Sequence, residues 1–144
     1  MTENDSAQDF ATRAIHAGQD FDPTTGAVIP PLYLTSTFVQ RAVGDLRGGY
    51  EYTRGTNPTR DSLQAQLAAL EGGAHALSFA SGLAAEDVLL RAVLKPGDRV
   101  VMGNDVYGGT HRLVRRVFEP WGIRLEVADL SDLDAARDVL AGGA

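Results

Sequence analysis

The sequence predicts an α/β fold with a mainly parallel sheet, and three features of its pattern lead there. Short apolar runs typical of buried strands occupy residues 74–79, 99–102 and 123–127. Segments with helical periodicity separate and follow these runs. Each of those segments has its own start and stop residues. This alternation is typical of βαβ units, in which helices cover both faces of a parallel sheet.

The first two helices have clear ends. Residues 10–16 predict a short helix, with Gly18 just past its end. Asn57 can cap a second helix that starts with Pro58, and Gly72 can end it. The apolar stripe of this second helix consists of Leu63, Leu67 and Leu70.

Three further helices are predicted. One starts at Ser81 and runs through Leu94, and another spans residues 109–121. The face expected to be apolar in the latter consists of Leu113, Val117 and Trp121. Ser131, followed three residues later by Asp134, predicts a capping box at the start of the last helix.

The front of the chain has a different character. Residues 1–9 predict a disordered tail, and residues 19–57 are irregular and rich in glycine and proline. A stretch of this length without structure is unusual inside a compact domain. We therefore divide the chain into an extended arm, 1–57, and an α/β domain, 58–144. Three strands would leave open sheet edges, so we expect the chain to be a piece of a longer one.

Composition excludes several classes of function. The formal net charge of −6 does not suit binding to nucleic acid or to an anionic membrane. The chain has no cysteine, which excludes disulfides and thiolate chemistry. No signal peptide or membrane-length apolar run is present, so we expect a cytoplasmic protein. The three histidines are too widely spaced to indicate a metal site.

Two loops follow predicted strands at the edge where parallel sheets bind ligands. In residues 79–84 a strand gives way at once to a helix, whose free amides around Gly82 favour an anion such as phosphate. A plain strand-to-helix turn with a serine cap is the alternative. In residues 105–112, Tyr107 stands beside two glycines and can lie flat against a planar heterocycle, or simply pack.

A third segment, residues 50–59, ends the arm. Arg54 offers a planar fork that suits phosphate, and Tyr52 adds a phenol. The alternative is a surface loop with a salt bridge between Glu51 and Arg54. A nucleotide-binding Rossmann domain is disfavoured, since no Gly-x-Gly-x-x-Gly follows the first strand.

Taken together, five segments resemble the Cys/Met-metabolism family of pyridoxal 5′-phosphate (PLP) enzymes, whose members include cystathionine γ-synthase and γ-lyase. These segments are 12–18, 30–38, 52–59, 81–85 and 105–110. The resemblance runs from about residue 10 to the end. It implies the first part of a fold type I domain, the aspartate aminotransferase type, preceded by an extended arm.

The resemblance also implies roles for individual residues. Gly82 and Leu83 would give backbone amides to the PLP phosphate. Tyr107 would stack on the pyridine ring and assist proton transfer. Tyr52 and Arg54 would reach the phosphate of a neighbouring subunit in a homotetramer built from dimers. Glu51 favours the cystathionine γ-synthase and γ-lyase branch, where it would hold the distal amino group of the amino-acid substrate.

Two features depart from the family pattern. Gly55 and Thr56 stand in swapped order relative to the usual arm sequence. The family's PLP-bound lysine lies further along than this chain reaches, and the only lysine here, Lys95, follows a helix at the wrong end of the next strand. We therefore expect a trans-sulfuration enzyme, present as a portion that is inactive alone. The alternative is a non-catalytic α/β module that binds a phosphate ligand or assembles with a partner.

Overall fold

The computed structural model describes residues 9–142. These residues divide into two compact units, 9–78 and 79–142. The described part of the chain combines helices with one small sheet, and residues 17–57 are irregular, as predicted for 19–57. The helices are α1 (Phe10–His16), α2 (Pro58–Glu71), α3 (Gly82–Val93), α4 (Gly108–Leu113), α5 (Glu119–Trp121) and α6 (Leu133–Ala141). The strands are β1 (Arg99–Gly103) and β2 (Arg124–Ala128).

The first unit is built on the contact between α1 and α2. Arg13 of α1 donates from Nη1 to the Ala69 carbonyl oxygen of α2, at 2.6 Å. Gly18 follows α1, as predicted, with a φ of +70°. A Cβ at Gly18 would lie 2.6 Å from the Ser62 carbonyl oxygen, so the close approach of the two segments requires glycine there. Most of the predicted tail, residues 1–8, lies outside the described residues, and Asp9 caps α1.

The ends of α2 are confirmed. Asn57 Oδ1 accepts from the Thr59 N–H at 2.9 Å, and Pro58 is the first helical residue. At the other end Gly72 adopts the left-handed conformation with a φ of +67°, which few other residues tolerate.

The leucine stripe of α2 is not the face that packs. Ala68 and Ala69 are the buried residues of this helix, whereas Leu63 and Leu67 are exposed. Small side chains face α1 because the two segments approach so closely. The leucines therefore present apolar surface that the described residues of the first unit leave open.

In the second unit β1 and β2 pair in parallel, in register from Arg99 opposite Arg124 to Gly103 opposite Ala128. Two of the three predicted strands are thus confirmed to within a residue at each end. The connection between them is helical, as a parallel crossover requires. The guanidinium of Arg99 ties the sheet together, since it contacts the Glu126 carboxylate at 2.6 Å.

The third predicted strand, 74–79, is wrong. No described residue pairs with this segment in a strand, and the sheet has two strands. Pairing between neighbours is what makes a strand, because the ladder hydrogen bonds satisfy its backbone. The apolar run alone could not reveal that no partner strand lies within these residues.

The crossover helix is interrupted by a π-helical turn, Val114–Phe118, between α4 and α5. Pro120 has no N–H to donate, and the Glu119 N–H reaches back five residues to the Val114 carbonyl oxygen. The extra residue in this turn rotates the buried face. Val114 and Phe118 are therefore buried, whereas Val117 of the predicted face is exposed.

The core of the second unit forms around this turn. It consists of Met102, Val114, Phe118 and Ile123, joined by partly buried neighbours from α3, both strands and the loops between them. Phe118 is fully buried, and its ring meets that of Trp121 edge-on at a centroid distance of 5.8 Å. This core fixes the crossover helix against the sheet.

The last helix starts one residue later than predicted. Asp132, not Ser131, is its cap, and Asp132 Oδ1 accepts from the N–H groups of Asp134 and Ala135. Ser131 instead donates from its hydroxyl to Asp129 Oδ1 at 2.6 Å. Asp132 caps the helix because the hydroxyl of Ser131 is already engaged by the Asp129 carboxylate.

Across residues 9–142, no helix is both long enough and apolar enough to cross a membrane.

The buried ring of Phe118 gives a direct test of this core. We expect Phe118→Ala to lower the free energy of unfolding by about 3–5 kcal/mol, because the substitution removes buried apolar contacts and leaves a cavity. Val117→Ala, in the same turn but exposed, should change it by less than about 1 kcal/mol. Urea denaturation followed by circular dichroism measures both, and equal losses would contradict the assigned burial.

Candidate functional site

The starts of α3 and α4 lie at the carboxyl edge of β1. The chain leaves β1 at Gly103 and enters α4 at Gly108, while α3 ends at Val93, shortly before β1 begins. A side-chain hydrogen bond joins the first turn of α4 to the second turn of α3, from Thr110 Oγ1 to Glu86 Oε1 at 3.1 Å. The second unit therefore brings together the two loops that were predicted to share one edge.

The start of α3 offers two free backbone donors. The Ser81 hydroxyl accepts from the Ala84 N–H at 3.1 Å, and the Ser81 carbonyl accepts from the Ala85 N–H at 3.1 Å. Helix geometry leaves the N–H groups of Gly82 and Leu83 without an intrahelical acceptor. Beyond its chain neighbours and the backbone of its own helix, a Cβ built at Gly82 meets nothing within 4 Å, so no other segment crowds this helix start where an anion would bind.

Tyr107 immediately precedes α4 and is 73% exposed. Its ring lies against the buried backbone of Gly109, where a Cβ would fall 2.3 Å from a ring carbon. The glycine thus lets the ring settle over the helix start. Because so much of the ring faces solvent, it can stack against a planar ligand.

The first unit contains the third predicted segment. Tyr52 pairs with Thr37 in an isolated antiparallel bridge, which joins the backbone of this loop to the chain around Thr37. Arg54 places its guanidinium 5.3 Å from the centre of the Tyr52 ring, a cation–π contact. Glu51 Oε1 accepts from Gln40 Nε2 at 3.4 Å. Arg54 therefore engages Tyr52 instead of forming the ion pair with Glu51 that the surface-loop alternative requires.

The helix start behind this loop holds it in place. Asn57 is buried, and its Nδ2 donates to the Tyr33 carbonyl oxygen at 3.1 Å. Arg60 Nη1 donates to the Thr53 carbonyl oxygen, also at 3.1 Å. Gly55 does not adopt a positive φ, so its swapped order with Thr56 puts no special demand on the backbone.

Tyr50 opens the same segment. Its ring packs against that of Phe38 at a centroid distance of 5.3 Å. Partial burial, together with the neighbouring Asp61 carboxylate, raises the pKa of the Tyr50 phenol. The phenol of Tyr50 therefore stays protonated at neutral pH.

The candidate residues fall in both units. Glu51, Tyr52 and Arg54 belong to the first unit, and Gly82, Leu83 and Tyr107 belong to the second.

Sequence reasoning missed a groove in the first unit with a volume of about 410 Å³. It is lined by α2 and by the segment that follows it, including Gln64, His75 and Leu77. The repeated alanines of α2 are the signal that could have revealed it, since small side chains leave space.

Among the residues that the structure describes, no group of three or more histidine, aspartate or glutamate side chains could hold a metal ion.

The second unit fits PLP. Two unpaired amides with open space beside them suit the phosphate, and an exposed tyrosine ring at the same sheet edge suits the pyridine. The α/β fold and this edge suit the class of PLP-dependent transferase-like enzymes. The family model described as "Cys/Met metabolism PLP-dependent enzyme" matches residues 11–142. The chain belongs to this family.

Curated relatives agree. Cystathionine gamma-synthase of Mycobacterium bovis is 58% identical over 125 residues, which is 87% of this chain and 32% of the relative. Human cystathionine gamma-lyase is 46% identical over 127 residues, which is 88% of this chain and 31% of the relative. The chain therefore spans about a third of the length of these relatives.

Solved structures give the same result. The crystal structure of metB from Corynebacterium glutamicum superposes with a TM-score of 0.88 at 46% identity, covering 93% of this chain and 35% of that one. Cystathionine gamma synthase from Xanthomonas oryzae pv. oryzae, in complex with aminoacrylate and cysteine, superposes with a TM-score of 0.84 at 42% identity. That match covers 93% of this chain and 34% of the other. The expected fold, the first part of a fold type I domain, is confirmed.

The contact beneath Tyr107 can be tested with adjacent glycines. Gly109→Ala should displace the Tyr107 ring, because the added methyl would fall 2.3 Å from a ring carbon. Gly108→Ala is the matched comparison, because beyond its two chain neighbours its Cβ meets only Arg112 Nη1, at 3.8 Å. Aromatic NMR shifts of Tyr107 report both, and an unmoved ring in Gly109→Ala would contradict this packing.

Proposed function

We propose that this chain is the front portion of a cytoplasmic, PLP-dependent trans-sulfuration enzyme of the cystathionine γ-synthase or γ-lyase kind. Its reaction would be replacement or elimination at the β- or γ-carbon of a sulfur amino acid or an activated homoserine. One observation carries the proposal. At the carboxyl edge of β1, the free amides of Gly82 and Leu83 lie at the start of α3, and the exposed ring of Tyr107 lies at the start of the neighbouring helix α4.

Gly82 and Leu83 would bind the phosphate of PLP. Their N–H groups point out of the start of α3, where the helix dipole also favours negative charge. When bound, PLP supplies an electron sink for bond breaking next to the substrate's amino-bearing carbon. The role of this chain is to hold the ring at a fixed place and orientation.

Tyr107 would orient the ring by offset stacking, which contributes about 0.5–1.5 kcal/mol. Its phenol oxygen, Oη, is the one polar atom of a side chain that otherwise offers a flat apolar face. We assign this oxygen to holding a proton during the reaction.

Tyr52 and Arg54 would act on the phosphate held by a second copy of this chain. An arginine fork forms paired, charge-assisted hydrogen bonds with phosphate oxygens. The exposed surface of the arm supports contact with a partner, since several of its apolar side chains are largely exposed. These are Val28, Ile29, Leu32, Leu34, Val39 and Val43. Exposed apolar surface of this extent commonly marks an interaction site, and a homotetramer built from dimers would cover these side chains.

Residues 1–144 alone would lack turnover. Lys95 lies in the turn before β1, and its N–H donates to Asp98 Oδ2 at 2.9 Å. Tyr107 follows the opposite end of the same strand, and five strand residues separate the two ends by roughly 17 Å. Lys95 therefore cannot bond to a ring that stacks on Tyr107.

The position of Lys95 also favours a second candidate function. A module that grips a phosphate ligand without a covalent anchor would bind and release the ligand unchanged. Such a module would serve as a phosphate-ligand binding or assembly domain.

A substitution at Gly82 tests the phosphate site. Proline is tolerated at the first helical position and removes one N–H, and the extended backbone of Ser81 suits a following proline. We expect Gly82→Pro to weaken binding of PLP and of inorganic phosphate roughly tenfold to a hundredfold, because a hydrogen bond to a charged group contributes about 1.5–3 kcal/mol. Titration calorimetry measures both affinities.

The matched control is Gly82→Ala, which keeps the N–H. If alanine weakens binding as much as proline does, the lost donor is not the cause and the amide site is wrong. In the same samples, PLP should give no visible absorbance band of lysine-bound cofactor. The appearance of that band would contradict the claim that the 144-residue chain lacks its anchor.

Glu51 is assigned to the distal amino group of the substrate. The test uses a chimera in which residues 1–144 replace the front of a cystathionine γ-synthase. Glu51→Gln should raise the KM severalfold for a substrate that carries a distal amino group and leave kcat nearly unchanged, because the amide keeps a hydrogen-bond acceptor but loses the charge. Unchanged rates and substrate preference would remove Glu51 from the site.

A further inference from the structure

Glu86 and Thr110 form a contact that the proposed binding site does not use. Glu86 is the fifth residue of α3, and Thr110 is the third residue of α4. Thr110 Oγ1 donates to Glu86 Oε1 at 3.1 Å, and both side chains are partly buried. Within residues 9–142, this is the one side-chain hydrogen bond that joins α3 to α4.

The start of α4 lacks a side-chain cap, so a hydrogen bond from another element helps to fix it. Tyr107 occupies the cap position, and its side chain makes no capping hydrogen bond. The His111 N–H bonds the Tyr107 carbonyl oxygen at 3.2 Å, so Tyr107 moves with the first turn of α4. Whatever fixes Thr110 therefore also fixes the backbone that carries the Tyr107 ring.

The second carboxylate oxygen of Glu86 indicates that this residue does more than stabilise the fold. Its second oxygen, Oε2, is buried and has no hydrogen-bond partner. A buried polar atom without a partner costs stability and calls for an explanation. A carboxylate kept at that cost, at the junction of the two helices that begin at one sheet edge, is consistent with a role in alignment.

We propose that Glu86 and Thr110 are positioning residues that hold the Tyr107 ring in line with the free amides of Gly82 and Leu83. This inference rests on the proposed PLP site. Glu86 fixes Thr110, Thr110 fixes the first turn of α4, and that turn carries Tyr107. Within the frame that the core provides, this hydrogen bond would thus adjust the distance between the phosphate donors and the stacking ring.

The experiment compares Thr110→Val, which removes the hydroxyl but keeps the shape, with Thr110→Ser, which keeps the hydroxyl. Titration calorimetry on the 144-residue chain gives the affinities for PLP and for inorganic phosphate. Thr110→Val should lower the ratio of these affinities about threefold to tenfold, because the ring loses its stacking partner while the phosphate donors remain. Thr110→Ser and Glu86→Gln, which keep the hydrogen bond, should retain the ratio within about twofold.

Aromatic NMR shifts of Tyr107 in the ligand-free chain give a second readout. Thr110→Val should change these shifts, and Thr110→Ser should not. An unchanged ratio and unchanged shifts in Thr110→Val would overturn the inference, and so would an equal loss of affinity for both ligands. If the unsubstituted chain binds neither ligand, the proposed PLP site fails, and the Tyr107 shifts alone then decide whether the pair positions the ring.

Discussion

The burial of Phe118 is the constraint on which the candidate site depends. The ring anchors the crossover helix to the sheet, and α4 then has to start at the carboxyl edge of β1. The same core includes Leu90 and Leu94, which bring α3 and the turn after it into register with that edge. Two helices that start at one edge bring backbone amides and an aromatic ring close together. A phosphorylated heterocycle needs both, since the amides suit its phosphate and the ring suits its plane.

The first unit differs from the second in that much of its apolar surface is exposed. In the first unit, the close contact of α1 with α2 uses small residues and leaves Leu63 and Leu67 open. The arm exposes further apolar side chains, such as Leu34, which is 94% exposed. Exposed surface of this kind costs free energy in water unless something covers it. The relatives are about three times longer than this chain, and the proposed contact with a second copy would supply such cover.

Local signals in the sequence were enough for much of this structure. The Asn57–Pro58 start, the Gly72 stop and the Ser81 cap each depend on neighbours within a few residues, and each was predicted. The π-helical turn was missed because it depends on how Pro120 is accommodated against a core. The strand at 74–79 was wrong because pairing depends on residues far away in the chain. The position of the Tyr107 loop at the sheet edge could be predicted from the order of strands and helices along the chain. The packing of the Tyr107 ring on Gly109 could not.

A crystal structure of the 144-residue chain grown with PLP is the most direct measurement of the central claim. The account predicts phosphate oxygens within hydrogen-bond distance of the Gly82 and Leu83 nitrogens, with the pyridine ring lying flat against Tyr107 of the same chain. A phosphate bound elsewhere, or a ring that does not touch Tyr107, would contradict it.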